Sequence, residues 1–161
     1  MAVRSRFAAG PRAILLCQIL GFSFFVLAFF MPACRDMNPE AGSANIFTGW
    51  EYTHASLTLS KEVETYQSPF ILAVLSGLAS PLVVLYLAAS YIPHLRALRR
   101  AIAFAIPVCL VAAWIFFVIV EFAPMIGHYL WVAGVLLTLL PETLPGAKFP
   151  AIRKTPRALH P

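Results

Sequence analysis

Four uninterrupted apolar runs constrain this chain more than any other feature: residues 13–31, 69–91, 101–120 and 124–140. An α-helix needs about 20 residues to cross a hydrocarbon core of about 30 Å, and the first three runs meet that length. The fourth is short unless Phe122 and Ala123 extend it. Lipid offers the backbone no hydrogen bonds, so such runs must become helices that satisfy their own N–H and C=O groups. The expected fold is all-α, a membrane bundle of about four transmembrane helices with one long exterior loop, residues 32–67, between the first and second spans. Only 12% of the residues are charged, against about 25% in soluble chains. With most of the 161 residues needed for spans, residues 1–161 read as a single integral membrane domain.

Local signals punctuate the runs. Pro32 ends the first, Ser68 and Pro69 suit the cap and first position of the second, and Pro141 closes the fourth. Pro81 and Pro107 fall inside the second and third spans, where each removes a helix hydrogen bond and predicts a kink.

The charges give an orientation. Of the 12 Lys and Arg, ten lie in three segments: Arg4, Arg6 and Arg12; Arg96, Arg99 and Arg100; Lys148, Arg153, Lys154 and Arg157. Six of the seven acids, Asp36, Glu40, Glu51, Glu62, Glu64 and Glu121, lie in the segments between. Basic residues hold short loops on the cytoplasmic side. Both termini, including the basic tail 141–161, are therefore expected in the cytoplasm, in a plasma membrane whose alanine, arginine and proline usage suggests a bacterial inner membrane. The same clusters should attract anionic lipid heads. The net charge of +5 thus needs no nucleic acid to explain it.

Within the exterior loop, NPEAGSAN reads as turns, and Trp50, Tyr52 and Tyr66 are expected at headgroup level. Residues 55–60 alternate apolar and hydroxyl side chains, which fits a short strand; a surface helix over residues 61–66 fits equally well. Each span also carries small residues at helical spacing. These are Cys17, Gly21 and Ala28; Ala73, Gly77, Ser80 and Ala88; Ala101, Ala105, Cys109 and Ala112; and Gly127, Gly134 and Thr138. Helices in lipid associate by close packing, so these stripes predict either a compact bundle or a seam for another membrane protein.

Candidates for chemistry are sparse. No ionisable residue lies deep in a span, where it would mark a functional site. Glu121, at the outer end of the third span, is within reach of His128 across a tight turn, and the two suggest an ion pair near an outer mouth. Gln18 is the one polar residue well inside the first span and is expected to bond a neighbouring helix. The four histidines, His54, His94, His128 and His160, belong to four segments, so neither a haem nor a zinc site is expected. Cys34 is the single cysteine on the oxidising side; Cys17 and Cys109 lie in spans. Trp50 follows Gly49 on the exterior loop and is a further candidate contact.

Several four-helix families resemble part of this pattern, but this chain lacks the residues that decide each of them. Quinone-dependent thiol oxidases need pairs of exterior cysteines, small multidrug transporters a buried glutamate in the first span, and tight-junction-like proteins a paired cysteine after the Gly-Trp. The FMPAC segment resembles a lipoprotein cleavage box, but Pro32 and the length of the preceding run depart from it. The sequence points to a non-catalytic membrane protein without cofactor or metal, an interaction, assembly or accessory subunit. Its partners would meet the small-residue helix faces or the exterior loop. The alternative is a small proton-coupled transporter or channel with Glu121 and His128 near its outer mouth.

Overall fold

A computed structural model describes residues 11–37, 45–58 and 70–144. The elements run α1 (Pro11–Phe30), β1 (Pro32–Asp36), β2 (Ile46–Thr48), α2 (Gly49–Thr58), α3 (Phe70–Ser90), α4 (Arg96–Ile119), β3 (Phe122–Pro124) and α5 (Ile126–Thr143). A short 3₁₀ turn, Pro93–Leu95, joins α3 to α4. Three segments are long and apolar enough to cross a membrane: Arg12–Phe30, Ile71–Ser90 and Pro93–Ile119. Large apolar side chains point outward on them, including Phe104 at 79% exposure and Val118 at 76%. Such a surface is costly in water and unremarked in lipid, so the chain is membrane-associated.

The long helices form two close pairs. In the first, α1 lies along α5 backbone against backbone. A Cβ on Gly21 would come within 2.8 Å of the Gly134 carbonyl oxygen, and one on Gly134 within 2.6 Å of the Phe25 nitrogen. In the second, α3 and α4 interlock larger side chains, with Val83, Tyr86, Ile102, Ile106 and Leu110 all buried. Phe25, Val135 and Leu139 from the first pair join that same core. Both internal prolines, Pro81 and Pro107, are accommodated within continuous helices.

Where a single exterior loop is expected, the described residues 32–36 and 46–58 form two strands and a helix. A three-stranded sheet in the order β2-β1-β3 closes the end of the bundle where α1 and α4 stop. β1 pairs antiparallel with both neighbours, with Cys34 opposite Phe47 on one side and Pro124 on the other. This sheet replaces the tight turn expected between the last two spans, and it ties that turn to the segment after α1. A second core, of Cys34, Ala73, Phe116, Phe117 and Val120, joins the sheet to α3 and α4.

Other boundaries also move. Residues 55–58 continue α2, so the short strand expected over residues 55–60 does not form there. α4 starts at Arg96 rather than near residue 101 because Arg99 gains a buried partner. α5 runs through Pro141, which is buried, and so carries Glu142 to that partner. Gly77 was expected at a contact between spans, yet it faces α2, where a Cβ would meet Ser56 at 2.9 Å and Leu57 at 3.2 Å. The Ser68 cap, Pro69, Tyr66, the helix over residues 61–66 and the tail beyond residue 144 lie outside the described residues.

Candidate functional site

α2 positions the outer site, and the sequence explains why it starts where it does. Thr48-Gly49-Trp50-Glu51 is a capping box. The Glu51 carboxylate accepts from the Thr48 backbone N–H at 2.8 Å and from its hydroxyl at 2.9 Å, while the Glu51 N–H donates to Thr48 Oγ1 at 3.3 Å. The backbone bond, then the hydroxyl, hold the Glu51 carboxyl below the ordinary carboxylate range. Gly49 lets this helix start rest on α1, since a Cβ there would lie 2.5 Å from the Ala28 carbonyl oxygen. From that anchor α2 spans from α1 to Gly77 of α3 and covers the space between the two helix pairs.

Tyr52, expected among headgroups, instead turns inward from α2. Its ring packs edge-on to Phe117 at 5.2 Å, and its hydroxyl donates to Ser76 Oγ at 3.1 Å. Ser76 passes the bond to the Ala73 carbonyl at 2.7 Å. Burial pushes the Tyr52 phenol above its ordinary range. Beneath it lies a cavity of about 20 Å³, lined by Tyr52, Ser76, Gly127, His128 and Trp131 among others. That is room for a single water.

His128 is 3% exposed, and its Nε2 has no hydrogen-bond partner. Aromatic rings surround it: Phe117 at 4.5 Å, Trp114 at 4.9 Å and Trp131 at 5.6 Å. Glycine at position 127 allows this depth, because a Cβ there would sit 2.7 Å from the Pro32 carbonyl oxygen. An imidazole boxed by rings is held as a packing group, with its orphan nitrogen available only to a ring face or to a water in the cavity.

The sequence candidates do not converge. Glu121 is exposed, in a left-handed conformation at φ 55°, just past the end of α4. Its carbonyl accepts from Met37 N–H at 3.2 Å, and it forms no ion pair with buried His128 among the described residues. The pairing expected from their separation fails because a helix-ending turn directs Glu121 outward while α5 carries His128 in. Cys34, expected to face the exterior, is fully buried in the middle strand. Burial first, then the charges of Asp36 and Glu51, push its thiol up to about 12, so it carries almost no thiolate. Trp50 does remain on the surface at 62% exposure, with its ring 6.2 Å from that of His54. Gln18 is 2% exposed, yet both polar atoms of its amide lack partners, so the expected bond to a neighbouring helix is not made. Among the described residues no three His, Cys, Asp or Glu side chains cluster as a metal site.

A second polar centre, at the basic end, was not anticipated. Arg99 Nε lies 2.6 Å from Glu142 Oε1, and the same oxygen accepts from the Tyr86 hydroxyl at 3.2 Å. Arg99 is 8% exposed and Tyr86 fully buried. One carboxylate thus joins α3, α4 and α5. The basic cluster is expected to meet lipid heads, but the charge of Arg99 is used inside the protein. The signal available in the sequence was Glu142, the one acid outside the intervening segments.

No protein-family profile, curated protein or solved structure matches this chain.

Proposed function

We propose that this chain is a non-catalytic integral membrane protein acting as an interaction, assembly or accessory subunit, with another membrane protein as its partner. α5 serves as a fourth span: its 18 residues extend about 27 Å at 1.5 Å per residue. Both termini lie on the cytoplasmic side of the plasma membrane, a bacterial inner membrane, a reading supported by the clustering of Lys and Arg in the sequence and, among the described residues, by Arg12, Arg96, Arg99 and Arg100 at helix ends away from the sheet.

The observation that carries the reading is the disposition of the exterior module. Among its described residues Cys34 and Tyr52 point inward, whereas Trp50 at 62%, Met37 at 57% and Ile46 at 55% exposure point out. A module built this way offers an apolar and aromatic contact surface. Transport gains little support: the cavity under α2 has room for only one water, and its lining includes no carboxylate or ammonium group.

The test places a photo-crosslinking residue at position 50 in native membranes. One discrete adduct with a membrane protein is expected, and none from Val118, whose exposure faces lipid. Proton flux in liposomes is expected at background. Robust wild-type flux that Glu121→Gln abolishes would replace this reading with the transporter.

A further inference from the structure

The two helix pairs leave a lateral groove between α1 and α3, about 380 Å³ in volume. It is walled by Gln18, Ile19 and Phe22 on one side and by Val84, Ala88 and Tyr91 on the other. Ile19 and Val84 are each 52% exposed, so the groove opens toward lipid. Its volume falls within the range of about 300–1,000 Å³ typical of small-molecule sites. α1 is committed to α5 by the glycine seam, and α3 to α4, so neither helix closes it.

The chemistry changes along its length. Tyr91 stands at the end where α3 stops, and Arg96 and Arg100, both exposed, follow five and nine residues later. Arg12 lies seven residues before Ile19, on the same face of α1, and is also exposed. Gln18, six residues or about 9 Å inward from Arg12, carries the amide whose two polar atoms lack partners. Farther in, Phe22 and Val84 make the walls apolar. Exposed arginines at the helix ends (Arg12, and those beyond Tyr91), an amide at intermediate depth and an apolar end match phosphate, glycerol ester and acyl chain in order.

We propose that this groove is a binding site for one anionic phospholipid of the leaflet at the basic end. Its phosphate sits among Arg12, Arg96 and Arg100, its ester region lies at the level of Gln18, and one acyl chain runs along Phe22 and Val84. Arg99 takes no part, being paired with Glu142. The inference rests on the membrane reading above but not on the partner protein.

The test uses wild type and variants in nanodiscs of phosphatidylcholine with one-fifth phosphatidylglycerol, released into gentle detergent for native mass spectrometry. Wild type should retain one phosphatidylglycerol per chain in preference to phosphatidylcholine. Arg12→Gln combined with Arg96→Gln should lower that preference about twenty-five-fold, at roughly fivefold per arginine, the equivalent of about 1 kcal/mol each. Ala88→Phe, at an exposed position, should fill the groove and lower it at least tenfold. Val84→Trp, also exposed, should do the same and stands in if Ala88→Phe lowers the melting temperature. Equal retention of the two lipids, or a preference that both groove-filling variants leave intact, overturns the site. So does a chain dimer that those variants dissolve, which would make a second copy the occupant. Failure to enter nanodiscs at all overturns the membrane reading with it, whereas equal retention by inserted protein overturns the lipid site alone.

Discussion

The α1/α5 and α3/α4 pairs solve the same packing problem in opposite ways. Both join long apolar helices in an environment where hiding apolar surface from water gives no advantage. The first pair brings backbones into contact at Gly21 and Gly134, so its affinity comes from close approach over a narrow seam. The second interlocks Val83 and Tyr86 with Ile102, Ile106 and Leu110, and its contact is spread over large side chains. A backbone seam has no soft component, whereas an interlocked one can repack. The glycine pair should therefore be brittle and the side-chain pair tolerant.

Gly134→Val tests the brittle half and should have the largest effect. The new Cβ meets the Phe25 nitrogen at 2.6 Å and the Gly21 oxygen at 2.7 Å, neither of which can rotate away. The expected cost is at least about 3 kcal/mol, read as loss of the monodisperse peak or of reversible unfolding in bicelles. Ile106→Val in the other pair should cost only about 1 kcal/mol. Equal losses would break the comparison.

Glu142→Gln tests what holds the pairs together. It leaves the Arg99 guanidinium in a mostly buried place without its counter-charge. A fully buried broken pair costs about 3–5 kcal/mol; with Glu142 still 19% exposed at its side chain, about 2 kcal/mol is expected. A double-mutant cycle with Tyr86→Phe should show coupling, since both partners share one oxygen. Additive losses would mean that the tie is not a single unit.

Gly77→Leu probes the cover rather than a seam. The atoms it meets are the side chains of Ser56 and Leu57, which can yield at about 1–2 kcal/mol. The loss should appear as faster proteolysis around α2 with the bundle intact. Leu85→Ala, at a site 55% exposed to lipid, should be close to neutral. A Gly77→Leu effect as large as that of Gly134→Val would place Gly77 in a backbone contact after all.

The smallest effect is chemical. Cys34 should resist membrane-impermeant maleimide in the folded protein and react once unfolded. With its folded pKa raised to about 12 against an ordinary value of 9.0, the folded state holds the proton more tightly. Stability tied to this group is therefore intact below pH 9 and lost as pH climbs from 9 toward 12. Cys34→Ala should flatten that alkaline decline. Rapid labelling at neutral pH would show that the sheet opens.

Much of this was legible beforehand. Continuous apolar runs specify helices because lipid leaves the backbone no other partner, and α1, α3 and α4 fall within a few residues of the expected limits. The start of α2 was also readable, since Thr48 to Glu51 is a capping box written in four residues. The alternation of residues 55–60 concealed it, because a short segment fits period two and period 3.6 about equally well.

What the sequence could not supply was partnership across long separations. Whether Cys34 is exposed depends on β2 and β3 closing over both edges of its strand, and whether Arg99 faces lipid depends on Glu142 more than 40 residues away. Spacing placed Glu121 beside His128, but a single left-handed residue between helix and strand sent them to opposite sides of the surface. Which segments lie in the membrane follows from local composition, because solvation acts on each residue where it stands. Which polar groups find each other is settled by how helices and strands pack, and only the tertiary structure decides that.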